Sequence, residues 1–170
     1  FHLELMEHGR NVMADENGSL TQLAKRLIGG LCAYADSLTA FGNTVPAAYL
    51  RLVPDQEAPT RVCWSDQNRS AMIRVPLSWS KVSDLSLKLN PQQKTRFQRS
   101  GNRQTVEIRT PDGSAIVHLL LAGLSLAADW GMTRPEALEL ADKLYVTGDI
   151  IRNQTILEAL PSLPKSCVES

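Results

Sequence analysis

Residues 105–109 read TVEIR, and this short run limits the fold more than any other stretch. On a strand, alternate side chains point to opposite faces. Val106 and Ile108 therefore share one face, and Glu107 and Arg109 share the other. Residues 71–75, AMIRV, repeat the pattern with Arg74 set against Ile73 and Val75. The first five residues, FHLEL, alternate again and place His2 and Glu4 together. One sheet then carries an apolar face turned to a core and a second face holding His2, Glu4, Arg74, Glu107 and Arg109. A strand needs no guanidinium groups for stability, so the charged face asks for a ligand. Carboxylate and imidazole suit a divalent cation. Arginines suit phosphate and carboxylate, which they grip in bidentate fashion. Metal, phosphate and carboxylate together are the equipment of ATP-dependent carboxylate activation, where the charge of a transferring phosphoryl group must be offset. A solvated strand face would show the same alternation, so periodicity alone leaves both readings open.

The chain has 170 residues, a length that suits one domain or a large piece of one. Its formal net charge of +0 argues against a dedicated nucleic-acid binder. Cys32, Cys63 and Cys167 are widely spaced and contain no CxxC, so neither a zinc finger nor a disulfide framework is indicated. A reducing, cytoplasmic setting fits best. The longest apolar run, AIVHLLLAGLSLAA, is too short to span a bilayer. A strand under way at the first residue and the closing LPSLPKSCVES, a helix start that soon stops, suggest a piece of a longer chain.

Leu20, Leu23, Leu27, Leu31, Tyr34 and Leu38 recur at helical spacing and predict one long helix. Ser19 and Gln22 offer a capping box at its start; Gly42 and Pro46 mark its exit. Gly29 and Gly30 sit inside it and imply close packing there. RLVPDQEAPT, with two prolines around an acidic centre, is a loop. Two strands around 60–66 and 70–76 flank a turn at residues 66–68. Residues 77–103 are polar and basic, with Lys81, Lys88, Lys94, Arg96, Arg99 and Arg103, and read as an excursion from the core. PDGSA is a turn that feeds a helix running to about Trp130. Thr133 and Glu136 offer a second capping box, with Pro135 in the first turn and a helix ending near Leu144. VTGD is a turn.

Three motifs occur in order: YLRLVPDQEAP, NRSAMIRVP and VEIRTPDGSA. Together they closely resemble the glutamine synthetase family, whose patterns are Tyr-x-Arg-Leu-Val-Pro with Glu-Ala-Pro, then Asn-Arg-Ser-Ala-x-x-Arg, then Glu-x-Arg-x-Pro-Asp. FHLEL is similar to the family's His-x-His strand. The resemblance covers essentially the whole chain. It implies an α+β fold, a curved antiparallel sheet backed by helices, with residues 1–170 forming the C-terminal part of the catalytic domain. The N-terminal β-grasp domain and several metal carboxylates would precede Phe1. The implied reaction is ATP-dependent ligation of ammonia to the γ-carboxylate of glutamate through γ-glutamyl phosphate, with Mg²⁺ or Mn²⁺.

The resemblance also implies roles. His2 and Glu107 would be ligands of the metal at the nucleotide phosphates. Arg51 and Arg109 would hold glutamate, with Arg109 also near the transferring phosphoryl group. Arg69 and Arg74 would grip ATP phosphates, Arg69 taking part in catalysis. Glu57 would sit on a flap that closes over glutamate, excludes water from the acyl phosphate and helps deprotonate the ammonium nucleophile. Stacked rings of identical subunits are implied, with no nucleic-acid or membrane partner, and the isolated 170-residue chain would be inactive. Some positions depart from the pattern. Glu4 stands where a second histidine is usual, Thr105 where many members have a phosphate-binding arginine, and Gln67 where an arginine is frequent. SAIVHL replaces Ser-Ala-Asn-Pro-Tyr, which leaves His118 a structural residue. Two alternatives stand beside the synthetase: a γ-glutamyl–amine ligase using an organic amine, and a non-catalytic relative.

Overall fold

A computed structural model describes residues 1–54, 56, 58–77, 89–94, 103–148, 150 and 152–170. Glu57 and most of the basic excursion, including Lys81, Lys88, Arg96 and Arg99, lie outside the described residues; Lys94 and Arg103 are exposed. In chain order the elements are β1 (His2–Leu3), β2 (Met6–Glu7), β3 (Arg10–Asn11), α1 (Gln22–Ala33), α2 (Ala35–Gly42) and α3 (Pro46–Tyr49). Then come β4 (Trp64–Asp66), β5 (Ile73–Val75), β6 (Val106–Ile108), α4 (Val117–Thr133), α5 (Glu136–Lys143) and α6 (Gln154–Ala159).

Four strands form one sheet in the order β1-β6-β5-β4. β6 pairs antiparallel with both β1 and β5, while β4 runs parallel to β5, with Ser65 opposite Arg74. The α+β expectation holds. The segment between β4 and β5 is not a hairpin turn, however. Six residues carry the chain back so that β5 starts beside the start of β4.

The sheet's inner face is apolar throughout. Ile73, Val75, Val106, Ile108 and Trp64 are all no more than 5% exposed. They pack on a helical layer of α1, α4 and α5. The glycines inside α1 explain how close that layer comes. A Cβ on Gly30 would fall inside the van der Waals envelope of the Ala127 carbonyl oxygen on α4, and one on Gly29 would strike the Ala137 carbonyl on α5. Gly131 meets the Arg26 carbonyl from the other side. Lys25 and Asp142, 3.2 Å apart, tie the start of α1 to the end of α5.

Several boundaries differ from the sequence reading. The first strand covers only His2–Leu3. Leu5 then bonds back to Val12, and β2 and β3 form a tight hairpin. His8 and Gly9 turn that hairpin, both with positive φ, as a two-residue loop between twisted strands requires. The cap of α1 is Thr21, not Ser19: its hydroxyl accepts from Ala24 N–H and donates to the Val12 carbonyl. Ser19 N–H is already committed to Asp15. The long helix is interrupted at Tyr34, whose ring meets Trp130 edge-on at 6.0 Å. Thr133 does not cap α5. It closes α4, donating its hydroxyl to the Asp129 carbonyl. The closing residues 165–169 are turns rather than the start of a helix.

Candidate active site

The outer face of the sheet carries the charged row expected from the alternation. Register places His2 opposite Glu107, Glu107 opposite Arg74, and Arg74 opposite Ser65. Arg74 Nε lies 2.7 Å from Glu107 Oε2. The approach is off the hydrogen-bond direction, so both buried atoms keep bonding capacity that no described residue meets. Glu107 Oε1 faces His2 Nε2 at 3.9 Å. The other ring nitrogen, Nδ1, sits 3.1 Å from Thr105 Oγ1, which fixes the ring's orientation.

Arg109 continues the same face one step along. Its backbone N–H bonds to Met72, and its side chain reaches the Ala71 carbonyl at 3.4 Å. Burial pushes its guanidinium below the ordinary value. Glu107 opposes that shift, while Arg74, Arg69 and Arg51 add to it. Four arginines therefore share one electrostatic neighbourhood around a single half-buried carboxylate. Such a cluster has the charge and donors to receive an anion.

Arg69 comes from the segment between β4 and β5, which is shaped by local bonds. Gln67 takes a positive φ of 55°. Asn68 Oδ1 accepts from the Ser70 amide and hydroxyl, and its Nδ2 donates to the Gly148 carbonyl at 2.7 Å. Arg69 itself is exposed. Arg51 follows α3 and donates to the Thr110 carbonyl at 2.6 Å.

These residues line an open groove of about 780 Å³. Arg69, Arg74, Glu107 and Arg109 lie along it together with Ser65, Asp66, Gln67, Asn68 and Gly148. Gln56 and Ala58, the neighbours of Glu57, also line it. The loop read from RLVPDQEAP therefore reaches the groove, although Glu57 lies outside the described residues. Arg51 stands just beyond, beside Thr110.

Glu4 does not join the row. It lies past the end of β1, where its carboxylate accepts from Asn11 Nδ2 at 2.7 Å. His118 is exposed on α4. Ser65, Asn68 and Gly148 carry no charge pattern that would have marked them. Asn68 alone had a signal, since Asn-x-Ser favours an Asx turn.

A divalent cation fits the His2–Glu107 pair in part. One nitrogen and one carboxylate oxygen converge, which is a suitable donor type but fewer donors than such ions take. Among the described residues no group of three or more His, Cys, Asp or Glu stands close enough to hold a metal. Nor is any helix among them long and apolar enough to cross a membrane.

Comparison with known proteins supplies the family. A family model described as glutamine synthetase, catalytic domain, matches residues 1–170. The glutamine synthetase of Thermococcus kodakarensis is 33% identical over 163 residues, covering 94% of this chain and 32% of that protein. That of Pyrococcus abyssi is 36% identical over 126 residues, 74% of this chain and 24% of the relative. For Thermus thermophilus the figures are 35% over 135 residues, 78% and 26%. The chain thus spans about a quarter to a third of the length of these curated relatives. The cryo-EM structure of Plasmodium falciparum glutamine synthetase superposes with a TM-score of 0.59 at 25% identity, covering 77% of this chain and 22% of that one. The ordered motifs, the charged sheet face and these matches agree: the chain belongs to the glutamine synthetase family and carries residues of its catalytic domain.

Proposed function

We propose that these residues form the C-terminal part of a glutamine synthetase catalytic domain, and that the complete protein ligates ammonia to the γ-carboxylate of glutamate. The observation that carries this reading is the convergence of Arg69, Arg74 and Arg109 on one groove beside the His2–Glu107 pair, with Arg51 close enough to act on Arg109 electrostatically. A γ-carboxylate oxygen of glutamate attacks the γ-phosphorus of ATP, and the bond to the ADP oxygen breaks. Ammonia nitrogen then attacks the carbonyl carbon of the γ-glutamyl phosphate, and inorganic phosphate leaves.

Arg51 and Arg109 hold glutamate. Arg69 and Arg74 grip the nucleotide phosphates, with Arg69 and Arg109 nearest the transferring group. His2 and Glu107 hold a Mg²⁺ or Mn²⁺ ion, which when bound offsets phosphate charge. Glu57, from the RLVPDQEAP motif, excludes water from the acyl phosphate and takes a proton from the ammonium nucleophile. The departures at Glu4, Thr105 and Gln67 bear on the nucleotide contacts and on the choice of amine more than on the fold. The reaction runs in a reducing, cytoplasmic compartment, consistent with the unpaired thiols of Cys32 and Cys63. The complete protein is a homo-oligomer of stacked rings. The 170-residue chain alone, with two metal donors, does not turn over.

The test is ADP release by the complete protein with Mg²⁺, ATP and glutamate, with and without ammonia, beside Glu57→Ala. Ammonia-dependent release that disappears in Glu57→Ala supports the reading. Release only with an alkylamine or polyamine makes the protein a γ-glutamyl–amine ligase instead. No release with any amine makes it a non-catalytic relative.

A further inference from the structure

Asn43 carries none of the charge that marks the groove, yet it joins the end of α2, Arg51 after α3 and the exit of β6. It is the residue after α2 and is 1% exposed. Its Nδ2 donates to the Thr39 carbonyl at 2.9 Å and to the Thr110 carbonyl at 3.0 Å. Its Oδ1 accepts from Arg51 Nη2 at 3.3 Å. The same Nη2 donates to the Thr110 carbonyl, so Asn43, Arg51 and the Thr110 carbonyl close a ring of hydrogen bonds.

Thr110 follows Arg109 directly. The ring therefore fixes Arg51, which arrives from α3, against the exit of β6, which carries Arg109. Only a side-chain amide of this length has both two donors for the carbonyls and an acceptor for the guanidinium. The surrounding chain holds this joint in place. Asp112 N–H bonds to the Gly42 carbonyl, and Ile116 N–H to that of Phe41. A Cβ on Gly42 would lie 2.9 Å from Pro111 Cβ, so the end of α2 and the segment after β6 are in direct contact. Arg51 Nε is buried with no hydrogen-bond partner among the described residues.

We propose that Asn43 is a positioning residue for the carboxylate-binding arginines. It sets the spacing between Arg51 and Arg109 without touching the substrate. The inference rests on reading Arg51 as a glutamate ligand. It is tested by a double-mutant cycle in the complete protein, with steady-state kinetics of wild type, Asn43→Ala, Arg51→Lys and the double variant. Asn43→Ala is expected to raise the KM for glutamate about tenfold, the loss of roughly one charge-assisted hydrogen bond, with the KM for ATP unchanged. In the Arg51→Lys background the same substitution adds less than about twofold, because the group it positions is already gone.

Equal losses in both backgrounds overturn the inference. So does a rise of both KM values together, which marks a merely structural role. If Asn43→Ala does not fold, the near-isosteric Asn43→Asp carries the same cycle, since it loses both donors to the carbonyls. An active wild type in which Arg51→Lys leaves the glutamate KM unchanged overturns the assignment of Arg51, and the inference with it. Additive losses with a clear Arg51→Lys effect overturn the positioning role alone.

Discussion

The two faces of the four-stranded sheet are made from the same residues in alternation and obey opposite rules. On the inner face Ile73, Val75, Val106 and Ile108 are all but fully buried and pack on glycine-spaced helices. Every group there gains from being covered, at about 25 cal/mol per Å² of apolar surface removed from water. On the outer face Arg74, Glu107 and Arg109 are half-buried, the positive charges outnumber the negative, and Arg74 Nε and Glu107 Oε2, though ion-paired, make no hydrogen bond among the described residues. Stability alone does not build such a face, because half-paired buried charge usually costs more than it returns. The inner face is thus explained by folding, while folding alone leaves the outer face unexplained, which is what the proposed binding role accounts for.

The contrast is sharpest where packing is tightest. Gly30→Ala places a methyl group against the Ala127 carbonyl, which neither α1 nor α4 can yield without moving backbone. The substitution should destabilise the protein by about 3 kcal/mol, well beyond the roughly 1 kcal/mol that alanine gains in helix propensity. Gly113→Ala, whose Cβ meets nothing within 4 Å, should stay within about 0.5 kcal/mol of wild type. Chemical denaturation followed by circular dichroism measures both. Equal effects at the two sites would mean that the helical layer is looser than its glycines imply.

Arg109→Met cuts the other way. It removes a partly buried cation crowded by three others and keeps an unbranched apolar stem. Stability should hold within about 1 kcal/mol of wild type, while glutamate-dependent ADP release falls by about a hundredfold or more. A large loss of stability with activity kept would make the outer face structural, and the difference between the two faces would disappear.

The sequence showed some of this and hid the rest for physical reasons. Within each strand the period of two set His2, Arg74 and Glu107 against apolar neighbours, and burying those neighbours in one core turned all three to the other face. Arg51 and Arg69 sit on loops, where no periodicity acts, and only their motifs marked them. The parallel pairing of β4 with β5 depends on hydrogen bonds such as Ile73 N–H to Cys63 carbonyl, which leave no mark on composition. The helix caps failed through competition. Ser19 and Thr21 are both good caps by type, and a tertiary bond from Thr21 to Val12 chose between them. Asn43 looked like any polar residue at a helix end. Its importance comes from Thr110 and Arg51, neither of which is near it in an element of regular spacing.

The smallest expected effect lies at the seam between the two faces, where the turn after β6 is held by Asp112. Its Oδ1 accepts from the Ser114 amide at 2.7 Å and from the Ser114 hydroxyl at 2.6 Å. Burial raises the carboxyl's pKa, but the two Ser114 bonds and the Arg51 charge outweigh it, so the value lies below the ordinary carboxylate range. A carboxyl whose pKa is lower folded than unfolded contributes stability above about pH 4, and loses it as the pH falls through the folded value. Asp112→Asn removes the titrating group and keeps an acceptor for Ser114. The variant should therefore be less stable than wild type by about 0.5 kcal/mol at neutral pH, since Asp112 is only partly buried and solvent screens it. That gap should close in acid, as the pH falls through the lowered folded value and wild type loses the same interaction by protonation. Paired denaturation curves at pH 7 and pH 3 measure it. A gap that widens in acid would mean that the charge of Asp112 works against the turn, and that Arg51 is held by Asn43 and Thr110 without help from this carboxylate.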